Sequence, residues 1–156
     1  RELQHDGRPL SAWLDEVGEG PEEQRARAVA ALLAMDPAVW EQLVNMLAAQ
    51  DSLFRRGIAR LGGERALQRF SGRSADEQHG TAAIAFLALG PLARPAIPGL
   101  IDLLEKPSAR ERAAEALFAI GADAAPALTG ALTNTNPEVR RAVAATLGKL
   151  NPQSSR

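Results

Sequence analysis

The segment from Ala82 to Leu150 repeats itself, and that repetition restricts the possible folds more than any other feature of the chain. The block Ala82-Ala83-Ile84-Ala85-Phe86-Leu87-Ala88-Leu89-Gly90 lines up with Ala113-Ala114-Glu115-Ala116-Leu117-Phe118-Ala119-Ile120-Gly121. Both line up with Val143-Ala144-Ala145-Thr146-Leu147-Gly148-Lys149-Leu150-Asn151. The spacing is about 30 residues, and the pairs Pro95/Pro126 and Pro107/Pro137 keep step with it. Each unit reads as two helices that cannot bury their apolar faces alone, so neighbouring units must bury them together. The expected fold class is all-α, a helical solenoid.

Composition agrees with this reading. Alanine and leucine dominate the 156 residues and tyrosine is absent, which favours helix by propensity. No alternating strand pattern is visible. A formal net charge of −1 argues against a globally basic nucleic-acid binder. The lack of cysteine excludes disulfides, thiolate metal sites and cysteine nucleophiles. No apolar run approaches the length that spans a bilayer, so no transmembrane segment is expected, and no signal peptide is present. The chain begins at Arg1 and reads as a processed or trimmed form from which a leader or anchor could have been removed.

Three parts are expected. Residues 1–73 form an N-terminal helical part with a divergent repeat and an insertion, residues 74–150 carry the regular repeats, and residues 151–156 form a disordered tail. Within the first part, the chain to about Asp6 reads as a frayed arm. Leu10, Trp13, Leu14 and Val17 then fall on one helical face, and Gly18 and Gly20 end that helix. Pro21 opens a helix to about Met35 with Ala28, Leu32 and Met35 inward. Asp36 as cap and Pro37 as first residue open the next, whose apolar positions are Val39, Trp40, Leu43, Val44, Met46 and Leu47. Residues 51–73 read as an irregular insertion broken at Gly62-Gly63, and Ser74 with Glu77 as a capping box. Further helices are expected from Leu92 to Glu105, with Pro98 tightening or kinking the chain, and from Ser108 to Ile120. Gly121 ends the latter in a left-handed conformation. The last two run from Asp123 to Thr133 and from Asn136 to Leu150, with Asn136 as cap and Pro137 as first residue.

The run Arg112 to Gly121, then Ala125-Pro126-Ala127-Leu128, then Asn136-Pro137-Glu138-Val139-Arg140-Arg141-Ala142-Val143-Ala144, resembles HEAT-like repeats. In particular it resembles the short bacterial form also seen in phycobilisome lyase-type proteins. The opening Gly7-Arg8-Pro9-Leu10-Ser11-Ala12-Trp13-Leu14 resembles that of a largely uncharacterised group of bacterial HEAT-repeat proteins. Members of that group often begin with a membrane or secretion leader, which implies the cell envelope or export if a leader was removed. The resemblance implies a right-handed α-solenoid of hairpins whose second helices line a concave surface. It also implies a ladder between a turn aspartate and an arginine of the second helix. Arg110 and Arg140 match the arginine, whereas Lys106, Pro107, Asn134 and Asn136 stand at the aspartate positions.

No residue set points to catalysis or a cofactor. The two histidines, His5 and His79, lie apart from each other and from other candidate ligands, so neither a metal site nor a Ser-His-Asp triad is expected. Carboxylate pairs such as Glu111/Glu115 are common on helix surfaces, and Trp13 and Trp40 fall on apolar stripes that read as core. The acids Asp15, Glu16, Glu19, Glu22 and Glu23 read as surface charge around a helix start, or as a contact for a basic partner. Arg55, Arg56, Arg60, Arg65, Arg69 and Arg73 form the sharpest charge bias. They read as a solvated face or, as the alternative, an anion or nucleic-acid patch. The expected function is a non-catalytic scaffold that binds a protein or peptide on the concave face. Arg110, Glu111, Glu115, Arg140, Arg141 and Lys149 leave the second helices away from the core and are the expected contacts. An accessory or lyase-type role is the further alternative that the resemblance implies.

Overall fold

The computed structural model describes residues 3–35, 37–49 and 75–151. The N-terminus is the first departure from expectation. Instead of a frayed arm, β1 (Gln4–His5) and β2 (Arg8–Pro9) form a small antiparallel hairpin. Asp6 (φ +51°) and Gly7 (φ +72°) make its two-residue turn. Positive φ at both positions is the type I′ geometry that an Asp-Gly pair supplies and that matches the twist of the flanking strands. The Leu10 amide donates to the Leu3 carbonyl at 2.8 Å and ties the hairpin to the helix that follows.

That helix, α1 (Leu10–Glu19), buries Leu10, Trp13, Leu14 and Val17, the face read from the sequence. Gly18 lies inside it, and the chain leaves at Gly20 in an extended conformation rather than a left-handed one. Helix α2 (Glu22–Ala34) starts after Pro21 with Glu22 and Glu23 in its first turn, where the positive end of the dipole favours acids. Helix α3 (Ala38–Ala48) buries Val39, Leu43 and Leu47, while Trp40, Val44 and Met46 are half-buried. The expected Asp36 cap, the Gly62-Gly63 break, the Ser74 capping residue and the tail from Pro152 lie outside the described residues, as does the whole Arg55–Arg73 cluster.

The repeat region comprises α4 (Ala75–Leu89), α5 (Ile97–Leu103), α6 (Arg110–Ile120), α7 (Ala125–Ala131) and α8 (Pro137–Leu150). Two 3-10 segments, Gly90–Ala96 and Gly121–Ala124, lead into α5 and α7. The helices expected to begin at Leu92 and Asp123 are therefore each split into a tight turn and a shorter α-helix. Pro98 and Pro126 both sit in the first turn of their helices, so Pro98 starts α5 without kinking it. Pro95 lies within the longer 3-10 segment. The structural counterpart of Pro126 is thus Pro98, not the Pro95 suggested by spacing.

Two rows result. Helices α3, α5 and α7 pack in succession, and α1, α4, α6 and α8 pack in a second succession against them, with α2 paired to α1. The all-α helical-repeat class read from the period is the fold observed, with the hairpin as its one addition among the described residues. The core runs continuously through both rows, from Leu10 and Trp13 through Phe86, Leu100 and Leu117 to Val143. Alanines at contact positions, among them Ala82, Ala85, Ala93, Ala113 and Ala124, are fully buried and let neighbouring helices approach closely. Burying a leucine or phenylalanine this completely contributes about 1.5–3 kcal/mol each, which is why stacking is required.

One sequence expectation needs amending. The helical stretch Ala75–Leu103 contains an 18-residue window of mean hydropathy 1.6 and is long and apolar enough by length and composition to cross a membrane. Within the fold it is not one rod, because Gly90 (φ +49°) turns the chain between α4 and the 3-10 segment and each piece is packed into the core.

Candidate functional site

The second row presents a groove of about 680 Å³ between α6 and α8. Its depth follows from the sequence. The facing positions hold small residues, Ala114 on α6 and Ala142 and Ala145 on α8, so the helices leave space between their outer edges. Phe118 forms the apolar wall at one side and is 45% exposed. Glu111 and Glu115 stand one helical turn apart on α6, facing Glu138, Arg141 and Lys149 on α8. The groove is thus an apolar floor with a charged rim.

Five of the six expected contact residues line this groove: Arg110, Glu111, Glu115, Arg141 and Lys149. Arg140 does not. Its Nη1 donates to the carbonyls of Asn134 (2.8 Å) and Thr135 (3.0 Å), closing the turn before α8. Arg110 has the same local task one repeat earlier, with Nε donating to the Leu104 carbonyl at 2.8 Å. Each arginine reaches back six residues, so the spacing that made them look like a matched pair reflects a turn clamp. At the groove rim, Arg141 donates to Glu138 at 2.9 Å. This exposed pair fixes a side-chain direction more than it stabilises the fold, since such pairs contribute about 0–1 kcal/mol. Lys149 occupies the last turn of α8, where the negative end of the helix dipole favours a cation.

Residues 97–156 match the family model for HEAT repeats. The match covers α5 through α8, the part of the chain that builds the groove. A search of curated proteins found no match to the chain, and a search of solved structures found none.

Between the two helical repeats α5/α6 and α7/α8 the polar ladder runs in an unexpected sense. The turn asparagine side chains do not take the place of aspartate as acceptors for the repeat arginines; Arg140 bonds the Asn134 backbone carbonyl instead. Asn134 Nδ2 donates to Glu105 Oε1 at 2.5 Å, and Asn136 Nδ2 donates to Glu105 Oε2 at 3.4 Å. A carboxylate of one repeat therefore receives amide hydrogens from the next, and a charged acceptor strengthens such bonds. Asn136 also caps α8 as expected, its Oδ1 accepting from the Glu138 amide at 3.0 Å. Sequence reasoning missed Glu105 because it searched for the acid only at the family's aspartate positions.

The other singled-out residues have structural tasks. Trp13 is core, its Nε1 donating to the His5 carbonyl at 3.3 Å while the Arg8 guanidinium lies 4.1 Å above its ring centre. Arg8 also donates to Glu16 at 2.7 Å. That hydrogen bond holds the Glu16 carboxyl below the usual carboxylate range, against the opposing effect of burial and with help from Arg27. His79 bonds through Nε2 to the Ala49 carbonyl at 2.7 Å and so joins α4 to the end of α3. Arg112 makes a similar link, Nε to the Leu47 carbonyl at 3.0 Å. Among the described residues no group of three or more His, Asp or Glu side chains is placed to hold a metal ion.

Proposed function

We propose that this chain is a non-catalytic docking module that holds a protein or peptide segment on the face formed by α4, α6 and α8. HEAT repeats commonly mediate protein–protein interaction, and the matched repeats here are the ones that carry the groove. The single observation that carries the reading is the coincidence of an apolar floor, a half-exposed Phe118 and a rim of Glu111, Glu115, Arg141 and Lys149 in one groove. Rigid stacked helices offer this surface preformed, so little ordering entropy opposes binding. An aromatic anchor surrounded by charged groups suits recognition in which apolar contact supplies affinity and the rim supplies selectivity.

The test is selection of ligands from a displayed peptide library on the purified chain. Selected ligands should lose about tenfold or more in affinity on Phe118→Asp, with helicity by circular dichroism retained. Ligands indifferent to Phe118→Asp and to Glu115→Arg would reject the groove as the docking site.

A further inference from the structure

We infer that the first row carries a separate binding site, a cleft between α3 and α5 that takes the arginine side chain of a protein segment. The cleft is built from helices other than those of the docking face above, so the inference does not rest on that reading.

The cleft holds about 290 Å³. Pro37, Trp40, Glu41 and Val44 line it on the α3 side, and Pro95 and Gly99 line it opposite. A Cβ added at Gly99 would touch the Val44 side chain at 3.4 Å, so glycine keeps the bottom of the cleft open. The volume is at the small end of ligand pockets, which run from roughly 300 to 1,000 Å³, and suits one long side chain rather than a helix. Its walls are apolar except for Glu41, which is exposed. Among the described residues no other charged side chain lines the cleft. Among them, too, neither the Glu41 carboxylate nor the Trp40 indole NH has a hydrogen-bond or ion-pair partner. A place in the first turn of α3 gives Glu41 a favourable helix dipole but no counter-ion. Arg94, next to Pro95 in the chain, is not among the lining residues.

The same chain shows what an indole and a carboxylate hold between them. At α1 the Arg8 guanidinium lies 4.1 Å above the Trp13 ring centre and donates to Glu16 Oε1 at 2.7 Å. A planar guanidinium can stack on an aromatic ring while its N–H fork meets a carboxylate, a combination that the compact lysine ammonium does not reproduce. Trp40 and Glu41 bring the same two groups to one cleft, and no arginine of the described chain fills it. The aliphatic stem of an incoming arginine would lie on Val44 and Pro95. A lone acid without an opposing cation also repels carboxylate and phosphate ligands from this cleft.

The chain has two tryptophans, so two indole NH resonances report the two sites separately. Titration of the isotope-labelled chain with the peptide acetyl-Gly-Arg-Gly-amide should shift the Trp40 resonance saturably. A dissociation constant of roughly millimolar size is expected from one side chain. The Trp13 resonance should stay in place, because Arg8 already covers its ring. The matching citrulline peptide, planar but uncharged, should bind about tenfold more weakly, since it loses the attraction to both ring and carboxylate. Glu41→Gln should weaken the arginine peptide about threefold or more, with helicity by circular dichroism retained because the position is exposed. The lysine peptide should bind more weakly than the arginine peptide, and methylguanidinium, which lacks the stem, more weakly still. Equal binding of the lysine peptide overturns the choice of guanidinium. Methylguanidinium that binds as tightly as the peptide overturns the side-chain source in favour of a small guanidinium compound. No saturable shift of Trp40, or one that ignores Glu41→Gln, overturns the inference and leaves the docking face of α4, α6 and α8 untouched.

Discussion

The repeat α5/α6 and the repeat α7/α8 share a sequence pattern but not a degree of burial. Leu117 and Ile120 on α6 are fully buried, while their counterparts Leu147 and Leu150 on α8 are only half-buried. Helix α6 packs between α4 and α8, whereas α8 packs on α6 and α7 among the described residues. The motif therefore specifies which face is apolar, and the place in the row decides how much of that face leaves water. This is the expected behaviour of a stack whose stability is a sum of unit and nearest-neighbour terms.

The largest effect sharpens this difference. Leu117→Ala should cost about 2–5 kcal/mol, as for other fully enclosed leucines. Leu147→Ala should cost less than half as much, because fewer contacts are lost and water can fill the gap. Urea unfolding of both variants measures the ratio, and equal losses would break the comparison. A middle-sized effect concerns the glycines. Gly121 holds φ +84° and ψ −142°, a conformation that a side chain makes costly, so Gly121→Ala should destabilise by about 1–3 kcal/mol. Gly148 is exposed in a helix interior with nothing within 4 Å of an added Cβ, so Gly148→Ala should stabilise by up to about 1 kcal/mol. The two substitutions should shift the thermal midpoint in opposite directions.

The smallest effect lies outside the repeats, in the hairpin region. Backbone clamps by Arg110 and Arg140 hold the repeat turns, whereas ionic and aromatic contacts of Arg8 hold the hairpin. Because Arg8 keeps the Glu16 carboxyl below its usual value of 4.5, the pair contributes stability above that pH. The contribution is lost as the pH falls through the lowered value. The Trp13 indole NH resonance should respond below pH 4.5, and Glu16→Gln should abolish the response. A response that survives this substitution would assign the hairpin's acid sensitivity to another group.

Much of the architecture was legible in single residues. The inward face of α1 follows from helical spacing of large apolar side chains and that of α2 from Ala28 and Leu32 one turn apart, and Asn136-Pro137 announces the start of α8 because its capping chemistry is local. The 3-10 segments were not legible, since Ala-rich sequence allows either helix and the choice depends on how α5 and α7 must meet α6 and α8. Asp6-Gly7 was a readable turn signal passed over because the strands beside it are two residues each. Of the candidate site, the residue types on the rim were readable from periodicity. Arg140 was misplaced because spacing on a helix does not reveal that its side chain bends back to the turn.

What the sequence determined by itself is the repeat, the helical class and the identity of the residues that avoid the core, because these depend on periodicity and local capping. Only the tertiary structure decided that Glu105 joins successive turns, that Arg110 and Arg140 clamp backbone, and that Phe118 faces a groove floored by alanines. Those outcomes depend on the distance between elements far apart in the chain, and pairwise packing of whole helices sets that distance.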